Sequence, residues 1–300
     1  MESIGDVLKK IVDQKYLNQD QIQMREVALQ DPHVQEFLSK NQVDQATLER
    51  SIDNLVLYVQ QLNSKSNQRV MAGYQPRLFL NGNVIDVTYT PTQQKQKDDE
   101  RAAAARRIEL IDLPPKLRHV ELEEVDQDSD RMKALVEIAH FLAEFDTNKH
   151  ARGLYLDGNF GVGKTYLLAA LANSIARKGT KVIFLHLPSF IASLSSHFED
   201  NSLNDEIDRI ASAPVVIFDD IGAETLSEWS RDDVLGVILQ KRMDNELPTF
   251  FSSNLNLKML SEHFAQVKNG NNSLKAERLM ERVTFLSKEV TVRGENRRHH

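Results

Sequence analysis

Apolar residues in the first part of the chain recur at helical spacing. Ile4, Val7, Leu8, Ile11 and Val12 fall on one face of a first helix. Asp31-Pro32 reads as a helix start, with Pro at the first helical position. Asp44 can cap a helix whose stripe is Leu48, Ile52, Leu55, Val59 and Leu62. The rest of residues 1–62 is polar and rich in Gln and Asn, which predicts a small helical bundle with a solvated face that is also open to a partner. The period then changes. Arg77–Leu80 and Val84–Tyr89 flank Asn81-Gly82, a hairpin signal because both turn residues are expected at positive φ.

From Gln93 to Glu109 the chain is charged and Ala-rich, with no apolar stripe. This reads as an exposed helix or linker, and Pro114-Pro115 strengthens the break. The expected division is an N-terminal domain over 1–92, a linker over 93–126 and a second domain over 127–300. The second domain opens with a helix capped near Ser129, whose buried face is Leu135, Ile138, Leu142 and Phe145. Short apolar strands follow at Gly153–Leu156, Lys181–Leu187, Pro214–Phe218, Leu247–Ser252 and Val290–Val292, with a helix over Thr165–Arg177. Apolar strands alternating with helices predict an α/β domain whose parallel sheet is covered on both faces.

Composition narrows the classes. The 300 residues are 41% apolar and 27% charged, as in globular proteins. No apolar run approaches the ~20 residues of a membrane-spanning helix, and the acidic start Met1–Gly5 lacks a signal-peptide pattern. A cytoplasmic protein without membrane contacts is expected. Disulfides and thiolate metal sites are excluded, because there is no cysteine. The net charge of −7 means that tight binding to nucleic acid needs a local basic patch or a partner.

The sharpest chemistry lies in Gly158-Asn159-Phe160-Gly161-Val162-Gly163-Lys164-Thr165, which matches G-x-x-x-x-G-K-[ST] between a strand and a helix. Glycines let the backbone N–H groups converge on phosphate oxygens, and the helix adds its positive end. Lys164 is placed to reach the β- and γ-phosphates of ATP, and the Thr165 hydroxyl to ligate Mg²⁺. Pro214–Phe218 delivers Asp219 to the sheet edge, where Mg²⁺ is held through water, and Asp220 next to the attacking water as its base. Glu224 is a second candidate for that base. Asn254, after the fourth strand, can hydrogen-bond the attacking water or the phosphate. Arg278 and Arg282 share one helix face, and Arg297 and Arg298 follow the last strand. Arginine neutralises charge developing on a transferring phosphoryl group. With His300 so soon after the last strand, no C-terminal helical lid is expected, and a neighbouring subunit or partner would cover the nucleotide.

Together these segments resemble the AAA+ ATPases of the helicase-loader (DnaC/DnaI) type. The resemblance rests on Gly153–Thr165, Asp219–Glu224, Leu247–Asn254, Arg278–Arg282 and Gly294–Arg298, and extends more weakly into the N-terminal half. It implies Walker A and Walker B roles for the first two motifs and a sensor 1 role for Asn254. It further implies an arginine finger in the helix of Arg282, acting on a neighbour's ATP, and a sensor 2 role for Arg298. A loader is implied whose N-terminal domain grips the hexameric replicative helicase and whose ATPase domain assembles with other copies on single-stranded DNA. The segment Pro188–Phe198 resembles one that such loaders use near DNA, but it contains no Lys or Arg. Some relatives hold zinc in the N-terminal domain. Here Gln75 stands where a ligand histidine would be, so no zinc is expected and packing alone must hold the hairpin.

Two other readings share the P-loop. A transposition-helper ATPase predicts a different N-terminal domain. A signalling GTPase needs an Asn-Lys-x-Asp guanine reader, whereas Asn148-Lys149 is followed by His150-Ala151 and precedes the P-loop.

Overall fold

The computed structural model describes residues 19–64, 71–126, 130–194, 203–267, 270–271 and 273–297. The helical stripe expected over Ile4–Val12 and the cap at Ser129 lie outside them. The chain separates into two compact units, Met1–Asp99 and Glu100–His300. Among the described residues no helix is long and apolar enough to cross a membrane.

The first unit is built from helices α1 (Gln19–Gln30), α2 (Pro32–Lys40) and α3 (Gln45–Asn63) and strands β1 (Tyr74–Asn81) and β2 (Val84–Pro91). Both caps read from the sequence form. The Asp31 carboxylate accepts the amides of His33 and Val34, and Asp44 accepts that of Thr47. Ala28, Leu29, Val34, Ile52, Leu55, Val59 and Ile85 close its core.

The hairpin is real, but its turn is shifted by one residue. Asn81 pairs with Val84, so the central residues are Gly82 and Asn83, and Gly82 is at φ +63 while Asn83 is not at positive φ. This is the arrangement that puts glycine first, where the mirror-image bend needs it. Nor is packing alone what holds the hairpin. Ser51 Oγ accepts the Ile85 amide at 2.7 Å, Asn54 donates to the Ile85 carbonyl at 2.9 Å, and Arg50 donates to the Asn83 carbonyl at 3.2 Å. Helix α3 thereby satisfies the outer edge of β2.

The segment read as a linker, 93–126, is ordered. It contains α4 (Gln93–Arg107), within which the unit boundary falls, then β3 (Ile108–Ile111) and two short 3₁₀ turns. Helix α4, which buries only Ala104, is the exposed helix that the sequence offered as one of two readings, whereas the four residues of β3 are too few to display a strand period.

The second unit continues with α5 (Met132–Thr147), β4 (Gly153–Asp157), α6 (Lys164–Arg177), β5 (Val182–His186), α7 (Leu187–Ser193), α8 (Leu203–Ser212) and β6 (Val215–Asp219). A π-turn (Ser230–Leu235), α9 (Gly236–Asp244), β7 (Thr249–Ser253) and α10 (Leu257–Ala265) follow. The short pair β8 (Gln266–Val267) and β9 (Gly270–Asn271) precedes α11 (Ser273–Leu286), which runs into β10 (Ser287–Thr291). The six-stranded sheet has the order β10-β4-β7-β6-β5-β3, and every neighbour is parallel. Every residue of β4, β6 and β7 is buried, and β4 and β6 accordingly read as nearly unbroken apolar runs. Their carboxyl ends lie side by side, where open parallel sheets bind ligands.

Replacing Ser51 by Ala strands the buried Ile85 amide and should cost the N-terminal unit about 1–3 kcal/mol. Amide exchange across Val84–Pro91 is expected to quicken while that of β4–β7 stays unchanged. An unaltered hairpin exchange rate would show that packing suffices.

Candidate functional site

The loop between β4 and α6 winds tightly, with Gly158, Gly161 and Gly163 at φ +152, +79 and +94. At Gly161 the reason is contact as well as conformation: a Cβ there would lie 1.9 Å from Asn296 Oδ1. Residues 292–297 cross this loop, and the Arg297 amide donates to the Gly161 carbonyl at 3.1 Å. Lys164, the first residue of α6, is only 6% exposed. Its ammonium donates to the carbonyls of Gly158 and Asn159 at 2.8 and 3.0 Å and to Asn254 Oδ1 at 2.7 Å. The cation is thus fixed at the loop mouth and tied to the end of β7.

Asp219 ends β6 and is 3% exposed. Thr165 Oγ1 donates to its carboxylate at 2.8 Å, and Ser252 Oγ donates at 2.5 Å from β7. Burial pushes the Asp219 carboxyl up, against the pull of those two hydrogen bonds. A desolvated carboxylate beside a hydroxyl is a hard oxygen donor set, which a divalent cation such as Mg²⁺ fits.

Asp220 takes φ +57, unusual for a residue with a side chain, and its amide donates to Ser252 Oγ at 2.9 Å. Its carboxylate lies 3.7 Å from His186 Nε2 and faces the cavity. Glu224 lies elsewhere. It is buried, its Oε2 accepts the Gly222 amide at 2.7 Å, and its Oε1 is 3.9 Å from His263 Nε2. Burial raises Glu224 to about 7 and lowers His263, so both tend to their neutral forms.

A cavity of about 470 Å³ opens over the loop, bounded by Arg131, Phe160, Lys164, Thr165, Asp220, Asn254 and Arg297 among others. Lys164, Thr165, Asp219, Asp220 and Asn254 thus lie together at the carboxyl ends of β4, β6 and β7. Arg282 does not join them: its Nη1 donates to the Gly236 carbonyl at 2.7 Å, and it is not among the residues that line the cavity. Arg278 is exposed. Arg298 lies outside the described residues, whereas its neighbour Arg297 bounds the cavity and pairs with Asp126. Sequence reasoning passed over Ser252, a strand residue like its neighbours until β6 and β7 are paired. It also passed over Arg131 and Asn296, whose roles depend on contacts across elements.

The geometry has counterparts among known proteins. Residues 1–89 match the family described as primosomal protein DnaI N-terminus, and residues 88–300 match the IstB-like ATP binding proteins. The replicative helicase loader DnaI of Bacillus subtilis is 34% identical over the whole of both chains. A crystal structure of DnaI superposes with a TM-score of 0.57 at 38% identity, covering 65% of this chain and 99% of that one. An ATP-binding protein of insertion sequence IS1162 from Pseudomonas fluorescens is 31% identical, over 44% of this chain and 58% of its own.

Because Glu224 carries a folded pKa of about 7 against an ordinary 4.5, its protonated form stabilises the fold. That contribution is complete below the lower value and is lost as pH rises through the higher one, by about 3 kcal/mol at most. Melting temperatures of the wild type relative to Glu224→Gln should therefore fall between about pH 5 and pH 8. A difference that stays flat across the range would mean that Glu224 is already ionised in the fold.

Proposed function

Since the chain belongs to the DnaI family of replicative helicase loaders, we propose that it binds and hydrolyses ATP with Mg²⁺ to place a hexameric replicative helicase on single-stranded DNA. The observation that carries the enzymatic part is the convergence of Lys164, Thr165, Asp219 and Asn254 on one glycine loop. Residues 158–165 hold the phosphates through their amides and the Lys164 ammonium. Thr165 and Asp219 would hold Mg²⁺, which would supply neutralisation of charge on the phosphates.

Asp220 orients the attacking water and takes its proton. Its exposure to the cavity favours it over Glu224, whose carboxyl is turned to the Gly222 amide and His263. Asn254, already held by Lys164, senses the γ-phosphate side of the site. Arg298, next in sequence to the cavity-lining Arg297, is the sensor 2 residue.

Arg282 acts on the ATP of a neighbouring copy. Its absence from the lining of its own cavity supports this, and so do the exposed apolar residues Leu274 and Phe285 on α11 and Val237, next to Gly236. Residues 1–92 bind the helicase, the helix over 93–107 leads from that domain into the ATPase unit, whose sheet already includes Ile108–Ile111, and the protein works in the cytoplasm. The transposition-helper reading shares the ATPase half, but the N-terminal match to the DnaI family disfavours it.

The deciding experiment mixes the purified chain with the replicative helicase of the same cell, with and without ATP and Mg²⁺, and weighs the products by native mass spectrometry. A discrete complex that disappears when residues 1–92 are deleted is expected. If none forms under any nucleotide condition, the helicase is not the partner. In the assembled state Arg282→Ala should keep nucleotide binding and lose ~10³-fold in hydrolysis, the worth of a finger supplied in trans. Lys164→Ala should bind no measurable ATP. Equal turnover by the isolated chain and the assembly, unaltered by Arg282→Ala, would refute action in trans.

A further inference from the structure

Arg131 stands at the N-terminus of α5, outside every motif, yet it is only 4% exposed and its guanidinium lies against the glycine loop. Nη2 donates to the Val162 carbonyl at 2.6 Å. A Cβ on Gly163 would lie 2.8 Å from the same nitrogen, so the guanidinium fills the space that a larger residue would claim. Val162 is itself anchored, with its side chain 1% exposed in the core.

The carbonyl of Val162 and the amide of Gly163 belong to one planar peptide and point in opposite directions. Whatever fixes the first aims the second. We propose that Arg131 is a positioning residue for nucleotide binding: by holding the Val162 carbonyl, it keeps the Gly163 N–H turned into the cradle that receives the β-phosphate. A loop with three glycines has many backbone conformations within reach, and a preset amide spares the ordering that binding would otherwise require. The charge of the guanidinium also strengthens its hydrogen bond over a neutral donor's. This role rests on the ATP reading above and adds to it a residue that acts through the loop.

The β-phosphate is common to ATP and ADP, so the two should suffer alike. In the full chain, Arg131→Met should weaken both by a similar factor, roughly 10- to 100-fold, by calorimetric titration with Mg²⁺ present. Without nucleotide, amide exchange over 158–165 should quicken far more than that across β5 and β6, beyond any uniform change from the lost buried hydrogen bond. Arg131→Lys, whose ammonium falls short of the Nη2 position, should give a smaller loss of the same kind. If the Met variant does not fold, the Lys variant decides by the same readings. Wild-type affinity with wild-type loop exchange overturns the proposal, as does a loss confined to ATP, which would mean a direct contact with the γ-phosphate. A wild-type chain that binds neither nucleotide overturns the ATP reading and this one with it.

Discussion

Asp219 ends a strand with no exposed residue, and its carboxylate must be satisfied inside the protein. Two hydroxyls do this, from elements far apart in sequence: Thr165 at the start of α6 and Ser252 near the end of β7. Each arrives only if its strand is in register. Val216 must lie opposite Thr249 for Ser252 to reach Asp219, and β4 must sit beside β7 for the glycine loop to deliver Thr165. A buried carboxylate short of donors costs several times what a surface one does. The sheet order and the site chemistry are therefore one constraint. Ser252 serves it twice, since its oxygen also accepts the Asp220 amide and so holds that residue at its positive φ.

The same packing explains what was legible along the chain. The glycine loop declared itself because its chemistry demands particular residue types at fixed spacing. Strands β4, β5 and β6 declared themselves because burial on both faces makes them mostly apolar, and β7 through its buried Phe250-Phe251. The caps at Asp31 and Asp44 act within three residues, and local pattern caught both. What was missed is long-range. Ile108–Ile111 becomes a strand because the edge of β5 is open to it, which no window of sequence contains. Ser51 and Asn54 clamp the hairpin from more than thirty residues away, so a hairpin without a metal seemed to depend on packing alone. Asn81-Gly82 pointed to the right bend but to the wrong pair of central residues, because strand register chose Gly82-Asn83.

Buried arginines play a comparable part at the opposite end of the sheet. Arg242 is fully buried and donates to the Thr249 hydroxyl and to the carbonyls of Ala213 and Pro248. It ties α9 to the points where β6 and β7 begin. Arg231, also fully buried, pairs with Asp232 and donates to the Phe264 carbonyl, joining the π-turn to α10. Planar guanidinium groups suit such places, because several carbonyls can be met by one rigid fork.

Those ties bear on how the candidate finger relates to the cavity of its own subunit. Asp232 of the π-turn also pairs with Lys275, and the Gly236 carbonyl accepts from Arg282, so α11 is fastened at two points to the segment after β6. Helix α11 passes into β10 with no intervening residue, and β10 pairs along its whole length with β4. The chain then crosses the glycine loop, where Asn296 meets Gly161 and Arg297 bounds the cavity. Arg282 and Arg297 are thus carried by one continuous, packed segment. A displacement of α11 is therefore passed to the strand that frames the glycine loop, since packed elements move as bodies rather than deform.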